Sequence, residues 1–172
     1  MEKELDVSNA GTTFRMGLGV DVHAFAEDGA GRKLVLGGVE IPFERGLLGH
    51  SDADVLAHAV TDALLGAAGF EDIGHYFPDT DESFKDVDSL KLLREARSIV
   101  GESWEVSNVD AVVICERPKI RDYREAMRES LAEALGVEPS RVGVRGTTTE
   151  RLGFTGRGEG IAAQAVCLLE GR

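Results

Sequence analysis

Apolar residues along this chain recur at two different periods, and the changes between them predict its elements. Residues 15–25 read as a strand that runs into a loop, and residues 33–41 as two short strands turning at Gly37 and Gly38, a hairpin. At Ser51 the pattern becomes helical. Ser51 and Asp54 have the spacing of a capping box, and the periodic apolar run that follows continues through Leu65 and stops near Gly66 and Gly69. Residues 71–87 have little periodicity and contain Gly74, Pro78, Asp72, Asp79, Asp81 and Asp86, the composition of a long functional loop with freedom to move. Asp88 or Ser89 then caps a helix reaching about Val100. Residues 106–115 read as a buried strand, and residues 123–135 as a third helix ending at Gly136. Two further strands are expected over 142–147 and 160–169.

This order predicts an α+β fold of two layers, about three helices on one face of a mixed sheet. The other face then needs cover. The segment Gly160-Ile161-Ala162-Ala163-Gln164-Ala165-Val166-Cys167-Leu168-Leu169 is apolar on both faces, which implies that subunits pack sheet against sheet in a homo-oligomer. Residues 1–14 are expected to form a flexible extension and residues 15–172 a single catalytic domain. A chain of 172 residues suits one core, which at this size buries roughly 70% of the unfolded surface. No apolar run approaches the roughly 20 residues needed to cross a bilayer. The acidic start lacks the features of a secretory or organellar address, so a cytoplasmic location is expected. Cys115 and Cys167 have no metal-ligand spacing and read as free buried thiols.

A net charge of −12 argues against nucleic-acid binding, which relies on lysine and arginine displacing the counterions of phosphates. It also means that a phosphorylated substrate would need a local reversal of the field, for which bound divalent cations are the usual device. Asp21 and His23 supply a starting point, because alternate residues of a strand project from the same face. His58, on the first helix with Asp54 and Asp62 one turn to either side, is a third candidate. Two histidines and a carboxylate suit zinc with one position open, the catalytic arrangement. Taken alone, the same residues also fit a surface His23 and a core-packed His58. His50 and His75 have similar plain readings. A second candidate is the segment from Gly146 to Gly160, dense in glycine and threonine. Its amides and hydroxyls suit either a phosphate cradle with a cation held by Glu150 or an ordinary glycine-rich turn.

Four stretches in one order, DVHAF, LLGHSDADVLAHAVTDALLGAA, DIGHYFPDTD and TTTERLGFTGRGEGIA, resemble the 2-C-methyl-D-erythritol 2,4-cyclodiphosphate synthases over residues 15–169. The resemblance implies a homotrimer with active sites between subunits. It also implies a reaction in which 4-diphosphocytidyl-2-C-methyl-D-erythritol 2-phosphate becomes the cyclic diphosphate and CMP, in the non-mevalonate isoprenoid pathway. It assigns zinc to Asp21, His23 and His58, and magnesium or manganese to Glu150. Methylerythritol contacts fall on His50, Ser51, Asp72, Ile73, Gly74 and Asp79. The cytidine pocket falls on Cys115, Pro118, Lys119, Ile120, Thr147 and Thr148, with Thr148 also catalytic and Phe154 and Arg157 among the substrate contacts. Asp54 and Asp62 are expected to support the metal ligands through hydrogen bonds. The chain departs from the family at Gln164, often acidic and paired with the arginine matching Arg157, and at Glu116 and Arg117, which alter the expected cytosine rim. Two other readings fit parts of the pattern: a zinc phosphoesterase, and a non-catalytic trimer binding nucleotides or isoprenoid diphosphates.

Overall fold

The computed structural model describes residues 13–172. Of the extension expected over 1–14, residues 1–12 lie outside the described residues. Phe14 already belongs to the first strand. In chain order the elements are β1 (Phe14–Ala24), β2 (Leu34–Leu36), β3 (Val39–Ile41), α1 (Val55–Ala68), α2 (Ile73–Tyr76), α3 (Ser89–Val100), β4 (Trp104–Ile114), α4 (Arg124–Leu135), β5 (Val142–Thr147), α5 (Gly153–Gly156) and β6 (Gly160–Gly171). Short 3₁₀ turns lie at Glu82–Phe84, Arg121–Tyr123 and Pro139–Arg141.

Four strands form one sheet in the order β1-β6-β4-β5, and β2 and β3 pair separately. The β1–β6 and β6–β4 pairs are antiparallel and β4–β5 is parallel, so β1, β4 and β5 all end on the same side of the molecule. At the opposite end the Gly171 amide donates to the Thr13 carbonyl (2.8 Å), tying the two ends of the described chain together. The long helices α1, α3 and α4 pack side by side over one sheet face, as the two-layer plan expected. Beneath them β6 buries Ile161, Ala163, Ala165, Cys167 and Leu169.

Glycine lets the two layers approach closely. A Cβ at Gly19 would stand 2.0 Å from the Ala59 carbonyl oxygen, and one at Gly17 would stand 2.1 Å from that of Ala63. The backbone of α1 therefore rests directly on β1. Because side chains alternate along a strand, Asp21 and His23 point to the same face as these glycines, toward the start of α1.

The opposite face of β1 carries Phe14, Met16, Leu18, Val20 and Val22, with Met16 73% and Leu18 65% exposed. The sequence reading placed the main uncovered apolar surface on residues 160–169. The structure gives β6 only part of it, since Gln164 interrupts Ala162, Val166 and Leu168, and puts the larger row on β1.

Two local expectations change. Asp54, rather than Ser51, is the N-cap of α1: its carboxylate accepts from Leu56 N (3.1 Å) and Ala57 N (3.0 Å). The helix ends as expected at Gly69, which takes the left-handed conformation that glycine adopts without steric cost. Residues 71–87 are not structureless, because Asp72 caps α2 and Asp81 caps the 3₁₀ turn at 82–84. Elsewhere Asp88 caps α3 and Gly136 closes α4, as their sequences indicate.

Candidate active site

Asp21 and His23 from β1 meet His58 from α1. Asp21 Oδ2 lies 3.0 Å from His23 Nε2 and 3.0 Å from His58 Nδ1, and the two nitrogens are 3.2 Å apart. This near-equilateral triangle matches one face of a zinc tetrahedron, whose edge is about 3.3 Å for bonds of about 2.0 Å. Both imidazoles are oriented from behind. The His23 Nδ1 proton is donated to the Leu48 carbonyl (2.6 Å), which leaves the Nε2 lone pair facing the triangle. His58 Nε2 donates to Ser89 Oγ (2.9 Å), and Ser89 Oγ donates to Asp52 Oδ1 (2.5 Å), which leaves the His58 Nδ1 lone pair facing inward. Burial alone would raise the Asp21 carboxyl, but hydrogen bonds and charge from His23 and His58 outweigh it and hold the group well below the ordinary carboxylate range. Burial would likewise lower His23, yet the hydrogen bond and charge of Asp21 leave it raised. The donor set fits a divalent metal, with the carboxylate already in its ligating form.

The aspartates expected to support these ligands do other work. Asp54 is fully buried, and besides capping α1 it accepts from Gly37 N (2.8 Å) and Gly38 N (2.6 Å), fastening the β2–β3 turn to the helix. Burial pushes its carboxyl up against the pull of those amides. Asp62 accepts from Ile73 N (2.8 Å) and so holds α2 rather than a histidine. The supporting roles fall instead to Ser89, read from the sequence only as a possible helix cap, and to Asp52, which the sequence reading did not single out.

Beside the triangle is a cavity of ≈ 390 Å³ bordered by His23 and His58 together with His50, Ser51, Ile73, Gly74 and Asp79, all singled out in the sequence. Phe77, Phe84 and Leu92 add apolar wall. Asp72 is not part of it, since its carboxylate is used on His75 N (3.0 Å) at the α2 cap.

A second cavity, ≈ 400 Å³, opens where β4 and β5 end. Cys115, Pro118, Lys119, Ile120, Thr147 and Thr148 converge there as expected. Arg121 and Arg124 join them, so three side-chain cations face one pocket in an acidic protein. The sequence reading singled out neither arginine. Glu116 and Arg117, expected at this rim, border neither cavity. Neither do Phe154 and Arg157; Arg157 forms a two-pronged pair with Glu159 (2.7 and 3.0 Å). Glu150 lies on the turn after β5, where its carboxylate accepts from Thr148 Oγ1 (2.7 Å).

The thiols are chemically quiet. Burial pushes Cys115 up to about 11 and Cys167 up to about 12. At pH 8 a thiol with the lower value is thiolate in about one molecule per thousand, and thiolate is the reactive form. Native protein should therefore resist iodoacetamide at pH 8 and label rapidly at both positions once unfolded. Fast labelling of the folded protein at either cysteine would contradict this burial.

The two cavities have no residue in common. One lies at the end of β1 and the other at the ends of β4 and β5, on opposite edges of the sheet. Three strand spacings, roughly 14 Å, separate those edges.

Known proteins repeat both the sequence and the shape. A curated relative from Rubrobacter xylanophilus, named 2-C-methyl-D-erythritol 2,4-cyclodiphosphate synthase, is 82% identical over 157 residues, covering 91% of this chain and 95% of the relative. One of the same name from Listeria innocua is 56% identical, covering 91% and 98%. The Plasmodium falciparum IspF structure, a CDP complex, superposes with a TM-score of 0.80 at 34% identity, covering 92% of this chain and 97% of that one. The bifunctional IspDF of Campylobacter jejuni gives a TM-score of 0.89 at 44% identity, covering 94% of this chain but 43% of that longer protein. With a family model matched over residues 14–170, nearly all of the described chain, this protein belongs to the YgbB family.

Proposed function

We propose that the protein is a 2-C-methyl-D-erythritol 2,4-cyclodiphosphate synthase, a phosphorus–oxygen lyase. It converts 4-diphosphocytidyl-2-C-methyl-D-erythritol 2-phosphate to the cyclic diphosphate and CMP in the methylerythritol phosphate pathway. The observation that carries this reading is the Asp21–His23–His58 triangle beside a cavity bordered by His50, Ser51 and Asp79. The relatives' names supply the product, and the CDP complex of the Plasmodium falciparum protein suits the cationic second cavity.

In this reaction an oxygen of the 2-phosphate attacks the β-phosphorus while the bond to the bridging oxygen breaks, and CMP leaves with that electron pair. A phosphate monoester is already mostly dianionic near neutrality, since its second pKa is about 6, so no protein nucleophile or strong base is required. The chain's task is to bring anions together. Lys119, Arg121 and Arg124 place positive charge at the cytidine diphosphate end, and the Thr147 and Thr148 hydroxyls can donate to phosphate oxygens. His50, Ser51, Ile73, Gly74 and Asp79 hold the methylerythritol end, and fixing both ends of a flexible molecule can supply roughly 7–11 kcal/mol. Asp21, His23 and His58 would hold zinc and Glu150 magnesium or manganese, and these ions would supply electrophilic charge toward the phosphate oxygens.

Because the two cavities stand at opposite sheet edges, the reading includes assembly. The apolar row of β1 packs against other subunits in a homotrimer, and the zinc edge of one chain meets the cytidine edge of the next. Residues 15–172 act as one catalytic domain, and a cytoplasmic location fits the family; no described helix is long and apolar enough to cross a membrane.

Phosphorus NMR of the proposed substrate incubated with enzyme, zinc and magnesium should reveal the cyclic diphosphate and CMP together. An uncyclised phosphate product would instead establish a phosphoesterase, and no turnover would favour a binding protein. For assembly, inactive His58→Ala and Thr148→Arg proteins should regain activity when dissociated and reassembled together, because some interfaces then join two intact halves. Mixed trimers that stay inactive, from parents that each fold and assemble, would rule out shared sites.

A further inference from the structure

We infer that Glu116 is a positioning residue for Glu150, clamping the turn that presents the Glu150 carboxylate. The inference rests on the proposed function's assignment of Glu150 to a second divalent ion.

Glu116 lies two residues beyond the end of β4 at Ile114. The Cys115 amide donates to the Thr147 carbonyl (3.1 Å), so the backbone leading into Glu116 is still tied to β5. From there one oxygen, Oε1, accepts from the Thr149 amide (3.1 Å) and from the Arg151 amide (3.0 Å), the residues on either side of Glu150. Glu150 and Arg151 have φ values of 53° and 65°. Neither is glycine, and L-residues enter this left-handed region only against a clash with their own Cβ. Successive amides in such a conformation form a concave nest that favours an anion. Here the anion is the chain's own carboxylate.

Other contacts close the far side of the turn but do not reach these amides. The Leu152 amide donates to the Thr149 carbonyl (3.0 Å), and Thr149 Oγ1 donates to the Leu152 carbonyl (2.6 Å). Without Glu116, the two nest amides lose their common acceptor, and the left-handed backbone relaxes toward ordinary conformations. Glu150 would then keep its charge and lose its direction. Since Glu116 borders neither cavity, it acts through the turn rather than by touching the cytidine ester.

The requirement is for an acceptor with the right reach, not for a charge at this site. Glu116→Gln keeps a carbonyl oxygen at the same distance along the side chain. Glu116→Asp keeps the charge and loses a methylene of reach. Glu116→Ala loses both. Three readings on the intact protein test this: zinc content, amide hydrogen exchange across residues 149–151, and manganese titration followed by electron paramagnetic resonance. Zinc content should be unchanged in all three variants. Exchange at Thr149 and Arg151 should quicken, and manganese affinity fall by about tenfold or more, in the alanine and aspartate variants. The glutamine variant should stay close to wild type in both. The concentration of magnesium giving half-maximal cyclisation should follow the same order, with kcat recovering at saturating metal.

Wild-type exchange and manganese affinity in Glu116→Ala would overturn the clamp. So would a glutamine variant as defective as alanine, which would indicate a role for charge. If the alanine variant fails to fold, the comparison of glutamine with aspartate still decides. Failure of the wild type to form cyclic diphosphate would count against the proposed function, whereas amide exchange would still report on the clamp.

Discussion

Replacing His58 with alanine is expected to empty the metal site and lower cyclisation on the order of a thousandfold or more, with the fold retained. His58 provides one corner of the ligand triangle, and the remaining carboxylate and single imidazole cannot hold the ion in the same geometry. Zinc measured by elemental analysis after gel filtration, alongside turnover, checks the result. Stoichiometric zinc in the variant would remove His58 from the ligand set. Ser89→Ala provides a graded comparison. It removes the hydroxyl that takes the His58 Nε2 proton and passes a hydrogen bond on to Asp52, while Ser51 Oγ remains 3.2 Å from the same nitrogen. A loss of roughly 10- to 100-fold in zinc affinity is expected there.

Gly19→Ala is expected to damage both stability and metal binding although it adds one methyl group at a residue that borders neither the metal-side nor the cytidine-side cavity. The new Cβ would overlap the Ala59 carbonyl and stand 2.6 Å from the Ala63 amide nitrogen, both backbone atoms that yield only if α1 moves as a whole. Overpacking of this kind costs about 3 kcal/mol at its upper end, which lowers Tm by roughly 6–12 °C in a domain of this size. The helix that lifts away carries His58, whereas Asp21 and His23 stay on the strand. The triangle should open, and zinc affinity should fall by about tenfold or more in a chelator competition. A variant with wild-type melting and wild-type zinc affinity would mean that α1 accommodates the methyl without moving.

That close packing also explains where the sequence was easy to read and where it was not. The metal triad and the helix stops at Gly69 and Gly136 could be read from residue type and spacing, and most of both cavities from the resemblance to a known family. The face of β1 could not. In the fold Gly17 and Gly19 face the core because a helix backbone sits on them, and Met16, Leu18 and Val20 face outward. Glycine has no side chain with which to announce that it is buried. Likewise Ser89, Asp52 and Glu116 support the site through contacts between segments distant in sequence, to His58 and to the turn around Glu150. Asp54 and Asp62 looked like supports because they lie one turn from His58, yet their carboxylates reach the β2–β3 turn and the start of α2. Helical spacing specifies a face, and the partner on that face is decided by what packs there.

The direction of the strands has a practical consequence. Both cavities open where β1, β4 and β5 end, while Thr13 and Gly171 are joined at the other end of the sheet. Chain that enters at Thr13 or leaves after Gly171 therefore does so on the side remote from the chemistry. The same adjacency suits residues 13–172 to circular permutation: a short peptide could join Arg172 to Thr13 while new ends are cut into an exposed loop, with the ligand triangle left intact.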